Sequence, residues 1–379
     1  MTALKLFIKR LLIGIAKLLN SNSGSSYLPA GRISFDRLKL DHEVLYKDTV
    51  EGYTRKPPVT IGGLHKAFKR NLHEPPRQTF VMQGIGWYVW GNQGAVITDD
   101  HYLFEDVSRE FDNRTHSIFN QFKLTPPSQV DEYCAVLATS GSFVYYHWMF
   151  DILPRIAILK KAVNLSAIDK FIINYLPNNY QNETLARAGI DDSKVIASND
   201  HWGFHVRAKK LLVPSLASAN NRPSLRACVY LRELYAKEMN NGGAPLTLYI
   251  QRPHGRKIVN EDEVLAFLTP FKVEIIHPEK LSVAQQAALF ARANMVIGAH
   301  GAGLTNIVFC KPGTTIIDLF SAEWVNPCYW IIAEHLDLRY GYLEGERIKR
   351  GGKGKRADIR VNVTRLKNLF AKLEIAHAG

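Results

Sequence analysis

Residues 294–320 read NMVIGAHGAGLTNIVFCKPGTTIIDLF, two apolar runs separated by glycine-rich breaks. Met295–Ala299 is a short apolar run that predicts a strand, and His300-Gly301-Ala302-Gly303 predicts a tight turn. Leu304–Cys310 then predicts a short helix, Lys311-Pro312-Gly313 breaks it, and Thr314–Phe320 predicts a second buried strand. A strand–turn–helix–strand unit of this kind belongs to a parallel sheet. Ligands of such sheets sit beyond the carboxyl ends of the strands, where His300–Gly303 falls. Glycine lets a backbone approach a ligand closely, and the free N–H groups of a helix start favour an anion. Asp318, in the next strand, is a candidate partner for ribose hydroxyls. Phosphate and ribose together suggest a nucleotide. The alternative is a tight turn with an ordinary histidine, and only the flanking strand and helix favour a ligand. Asn306 stands where the third glycine of the dinucleotide fingerprint belongs, which argues against a nicotinamide or flavin.

The chain of 379 residues has room for two α/β domains, and 46% apolar with 22% charged residues is typical of a folded protein. A net charge of +13 attracts polyanions, which include nucleic acid, anionic lipid and phosphorylated substrates. Cysteines 134, 228, 310 and 328 show neither paired spacing nor a metal-binding cluster with histidine, so reduced thiols in a cytosolic setting are expected. Residues 4–19, LKLFIKRLLIGIAKLL, place Leu4, Phe7, Ile8, Leu11, Ile15, Leu18 and Leu19 on one helical face, away from Lys5, Lys9, Arg10 and Lys17. Four charges in sixteen residues oppose a membrane span, and a basic amphipathic helix lying in an anionic membrane interface is expected. The alternative is packing on the protein's own core or a partner. Residues 1–24 are therefore expected to hold an interface helix and the start of a flexible linker, SNSGSS at 21–26.

Between Gln83 and Asp106 apolar–polar alternation with turns at Gly91-Asn92 and Asp99-Asp100 predicts short strands and hairpins. From Glu132 strands and helices alternate, ending in a long helix from about Pro223 to Met239. Asn240–Pro245 reads as a linker, and a second alternating series follows. The expectation is α/β: two Rossmann-like, doubly wound domains at 25–240 and 246–357, facing a cleft, with a closing strand and helix at 358–379.

Two further stretches carry chemistry. In YYHWMFDILPR (145–155), a helix would place His147, Asp151 and Arg155 on one stripe, where a carboxylate or imidazole can act as general base. An Asp151–Arg155 helix pair beside a core histidine is the structural alternative. In the loop after strand 246–251, Arg252, Arg256 and Lys257 cluster at the sheet edge that carries His300, where guanidinium groups can clamp a diphosphate. No carboxylate pair suggests a divalent metal: Glu261–Glu263 reads as a capping box on Asn260, and the other acidic pairs as turns. No metal or cofactor is therefore expected, and leaving-group charge falls to the arginines and the helix terminus.

YYHWMFDILPR, YIQRPHGRKIVNEDE and SVAQQAALFARANMVIGAHGAGLTNIVFCKPGTTIIDLF together resemble glycosyltransferase family 61, from about Gln83 to Leu343. The resemblance implies a GT-B fold with the nucleotide-sugar in the C-terminal domain, and inverting, metal-independent transfer to a glycan or lipid-linked glycan acceptor. UDP-linked donors and a role in capsular or other surface polysaccharide synthesis are implied with it. It puts Arg252, Arg256 and Lys257 with His300, Gly301, Ala302, Gly303, Thr305 and Asn306 on the donor, and Asp318 near the ribose. Two positions depart from the family pattern: Asp151 where Glu is frequent, and Lys257 where a second Arg is common. The expected location is the inner face of a bacterial membrane, peripheral and cytoplasmic. A non-catalytic nucleotide- or polysaccharide-binding member of an assembly complex is the alternative. Nucleic-acid binding is not expected, because the motifs supply no base-stacking platform.

Overall fold

The computed structural model describes residues 27–38, 42–111, 115–200, 202–218, 222–348 and 354–375. The expected amphipathic helix at residues 4–19 lies outside them. No helix among the described residues is long and apolar enough to cross a membrane.

The chain forms two compact units, neither contiguous in sequence: residues 1–49 with 78–217, and residues 50–77 with 218–379. This corrects the expected division at the 240–245 linker. The helix Leu225–Leu234 belongs to the second unit, because Arg232 Nη1 donates to the carbonyls of Val308 (2.8 Å) and Cys310 (2.7 Å). Tyr235, just beyond, packs its ring against Phe309. The closing helix Val363–Lys372 buries Leu366, Leu369 and Phe370 in the second unit's core and is no separate module.

The first unit is α/β, but its sheet is mixed rather than wholly doubly wound. Strands His205–Pro214, Ser128–Val136, Lys170–Ile173 and Val195–Ala197 are parallel neighbours in that order. Against His205–Pro214 run two antiparallel strands, Arg77–Ile85 and Tyr88–Trp90, and the second leads into a meander through Ala95–Ile97 to Tyr102–Phe104. The meander is the hairpin region expected from the alternation, and Gly91 and Gly94 take positive φ at its first turn.

In the second unit the six-stranded sheet is wholly parallel, in the order Val273–Ile276, Leu246–Ile250, Ala293–Ala299, Thr315–Phe320, Arg339–Glu344 and Val59–Thr60, and Tyr53–Thr54 pairs antiparallel with His73–Glu74 apart from it. Counted from Leu246, the first five follow the doubly wound order 2-1-3-4-5, so the order reverses between Leu246–Ile250 and Ala293–Ala299. Near-continuous apolar strands such as Thr315–Phe320, buried throughout, are what a parallel sheet covered on both faces requires. The strand Val59–Thr60 comes from the N-terminal part of the chain.

Candidate functional site

In the second unit the reversal point is where Arg252 and His300–Gly303 emerge, since one follows Leu246–Ile250 and the other follows Ala293–Ala299. The chain is tight here. A Cβ on Gly298 would lie 2.9 Å from that of Ile250, and one on Gly303 2.9 Å from Ile250 Cγ2. A Cβ on Gly301 would fall 1.6 Å from Arg252 Nη1, so the guanidinium lies directly over the Gly301 backbone. Gly301 itself is extended (φ 172°), and the requirement for glycine is one of space. The segment Ala302–Phe309 then turns as a 3-10 helix, so the short helix expected over Leu304–Cys310 begins two residues earlier.

Arg252 is fixed by its own loop, with Nε donating to the Gly255 carbonyl at 3.1 Å. Gly255 and Arg256 are both left-handed (φ 58° and 54°), a conformation that is strained for Arg256. Its guanidinium stacks 5.3 Å from the centroid of the Trp324 ring. Burial, followed by the charge of Arg256, pushes the Arg252 pKa down. Among the described residues neither arginine is ion-paired to a carboxylate. Two adjacent guanidiniums that repel one another and lack an acid partner make a site that favours an anion. Lys257 does not join them: its side chain is exposed, and its backbone N–H donates to Asp358 Oδ1.

His300 is buried against Phe320, Tyr329 and Trp324. Its Nδ1 donates to Asp318 Oδ2 at 2.9 Å, and Tyr340 Oη donates to the same oxygen at 2.7 Å. The expected ribose contact of Asp318 is thus replaced by an internal one, because the carboxylate is completely buried and holds the imidazole in one tautomer. His300 Nε2 has no protein partner among the described residues. Tyr329 Oη donates to the Gly301 carbonyl at 2.7 Å, which sets the turn. Thr305 and Asn306 are fully buried under it, and Asn306 donates to Gln286 and to the Gly303 carbonyl. They shape the cradle from below, whereas Ala302 and Gly303 stay partly exposed.

In the first unit, residues 145–159 form one helical run whose middle, Trp148–Ile152, is a π turn. Pro154 has no N–H to give the Phe150 carbonyl, and Leu153 N–H pairs with the Trp148 carbonyl five residues back. His147 and Asp151 still meet: Nδ1 donates to Oδ2 at 2.6 Å. Arg155 does not hold Asp151 as expected. Its fully buried guanidinium donates to the carbonyls of Ala138 (3.0 Å) and Pro214 (2.7 Å), and burial pushes its pKa down to about 9. The cation beside the carboxylate is Arg109, with Nη2 3.7 Å from Asp151 Oδ1. No periodic pattern marks Arg109 in the sequence. Beside the pair is a polar cavity of about 270 Å³, lined by Asn92, Gln93, Ser140 and Asn174 among others. Gly141, also in its lining, contacts the His147 ring so closely that a Cβ would come within 2.8 Å of it. Among the described residues no group of three or more His, Cys, Asp and Glu is placed to hold a metal ion.

Residues 145–317 match the family model described as Glycosyltransferase 61. A β-1,2-xylosyltransferase of Arabidopsis thaliana is 28% identical over 153 residues, 37% of this chain and 27% of the relative. An EGF domain-specific O-linked N-acetylglucosamine transferase of Drosophila melanogaster is 34% identical over 98 residues, 25% of this chain and 19% of the relative. An α-1,3-arabinosyltransferase of Oryza sativa subsp. japonica is 31% identical over 104 residues, 25% of this chain and 18% of the relative. The chain thus spans about a quarter or less of the length of these relatives. Residues 145–317, which match the glycosyltransferase 61 family model, carry both the His147–Asp151 pair and the His300–Gly303 turn.

Proposed function

We propose that the protein is an inverting glycosyltransferase of GT-B architecture. It moves a sugar from a nucleotide-sugar, a UDP-sugar in the first instance, to a glycan or lipid-linked glycan acceptor of a surface polysaccharide. The observation that carries this reading is the pair of guanidiniums, Arg252 and Arg256, set without carboxylate partners at the reversal point of a parallel sheet, one of them over a glycine backbone. That is where an α/β sheet takes a phosphorylated ligand. In the proposed reaction the acceptor hydroxyl gives its proton to His147 Nε2 while its oxygen bonds to the anomeric carbon. The bond from that carbon to the donor phosphate oxygen breaks, and the electron pair leaves with the nucleoside diphosphate. Arg252 and Arg256 offset the charge that develops there, with no metal required. Asp151 holds the imidazole and offsets its positive charge once protonated.

A panel of nucleotide-sugars and UDP, tested for thermal stabilisation of the full chain, checks the donor. The matching donor raises Tm, and Arg256→Ala abolishes most of the rise. If none of the panel stabilises the protein, the nucleotide reading fails. Transfer that survives excess chelator supports the metal-free mechanism, and complete loss restored by Mn²⁺ overturns it. Donor binding with no transfer and no hydrolysis under any acceptor supports the non-catalytic alternative.

A further inference from the structure

A second cavity, of about 440 Å³, lies in the second unit, and none of the residues proposed for transfer lines it. Its size is that of small-molecule sites, which combine apolar walls with a few fixed polar groups. Val50, Pro75, Pro223 and Leu225 supply apolar wall. Leu225 remains 48% exposed there, a large side chain that an occupant would cover.

The buried polar groups of the lining are settled among themselves, with one exception, and Glu51, also in the lining, is solvent-exposed. Glu74 is matched by Arg55, a buried residue that donates to it through Nη2 and to the Asn71 carbonyl through Nη1 (2.6 Å). Tyr53 Oη accepts from the same Arg55 at 2.7 Å. His335 is kept neutral by burial, which pushes its pKa down to about 4, and its Nε2 donates to the Pro223 carbonyl at 2.9 Å. Glu334 accepts the Lys56 N–H at 2.8 Å. Arg77 is left over. Its Nη1 is buried without a hydrogen-bond partner, and among the described residues its guanidinium is ion-paired to none. Burial is the largest influence on it and acts against its charge, and the attraction of Glu74, already shared with Arg55, comes second. A charged group left in this state is costly unless a ligand completes it.

We propose that this cavity binds a small organic anion, a single acid group on an apolar body, with Arg77 meeting the acid group and Val50 and Leu225 flanking the body. One cation and apolar walls suit a monoanion of this kind better than a diphosphate, which calls for several cations. The lining residues Val50 and Arg77 are the first and last of the segment that the chain contributes to this unit before returning to the other. An occupant therefore grips both of those passages.

Calorimetric titration of the full chain with octanoate, 1-octanol and inorganic phosphate tests the proposal. Octanoate is expected to bind at one saturable site, with 1-octanol and phosphate each weaker by about tenfold or more. Arg77→Gln is expected to weaken octanoate by a similar factor. Leu225→Asp, a change at an exposed position that leaves Arg77 in place, is expected to do the same and decides the matter if the Arg77 variant does not fold. The proposal is overturned if the folded wild type binds no octanoate, or if 1-octanol or phosphate binds as tightly. Undiminished octanoate binding by the Leu225 variant, or by a folded Arg77 variant, overturns it as well.

Discussion

His147 and Asp151 share one helical run, yet the imidazole is 17% exposed and the carboxylate 2%. A base must touch the hydroxyl it deprotonates. Asp151, enclosed between His147 and Arg109, is placed to orient the ring, and His147 to take the proton. Measured with donor binding intact, His147→Ala should therefore lower transfer by roughly 10²–10⁴-fold, and Asp151→Asn by less. The reverse order would make Asp151 the base. In the second unit the corresponding test falls on Gly301. A methyl there meets the far end of a flexible side chain, so the fold can accommodate it only by displacing Arg252. Gly301→Ala should leave Tm close to that of the wild type while UDP affinity drops by about tenfold. Unchanged affinity would show that Arg252 does not touch the donor.

Pro154 fixes the shape of the helical run that carries His147, the proposed base. With alanine in its place, an N–H becomes available to Phe150, and the π turn can relax toward α geometry. Pro154→Ala should lower transfer without lowering Tm, and a variant as active as the wild type would make the π turn incidental. The sequence already put His147 and Asp151 on one stripe and Pro154 as a disturbance within it, because both follow from helical spacing and a missing donor. It also gave the His300 turn and the parallel strands around it, since continuous apolar runs ended by glycine leave few other readings. What escaped depends on distant partners. Asn260 was read as the cap of a box closed by Glu263, but its side chain exchanges hydrogen bonds with the Val361 backbone a hundred residues later, and the capping box lies at Ser282 and Gln285 instead. Tyr340 and Arg109, which touch the two aspartates, carry no local pattern. Asp318 looked available to a ribose because its strand position was legible and its burial was not.

For the whole molecule, acid sensitivity follows from His335. Its pKa is near 4 in the fold and ordinary, near 6.5, in the unfolded chain, which therefore takes up a proton that the fold refuses. Stability should fall as pH drops from about 6.5 to about 4, by about 3 kcal/mol at most, and level off below. Arg55, Arg77 and Glu74 act on the same ring, so the clean measurement is the difference between wild type and His335→Gln across that window. A difference that does not vary with pH would refute the assignment. The net charge of +13 and the amphipathic pattern of residues 4–19 support peripheral attachment to an anionic membrane. Removing residues 1–24 should release the protein from anionic vesicles while leaving donor hydrolysis intact, and continued sedimentation would place the attachment elsewhere.

The interleaving of the two units also sets a timetable. His65 donates its backbone N–H to the hydroxyl of Tyr342, 277 residues further along, and the strand just before it pairs with the strand that contains Tyr342. During synthesis at about 5–20 residues per second, the 50–77 segment leaves the ribosome on the order of tens of seconds before its sheet exists. For that interval it is a nascent edge with nothing to pair with. The second unit cannot close until the strand that carries Tyr342 has been made, and a ribosome stalled anywhere before Tyr342 holds a first unit trailing an orphaned strand.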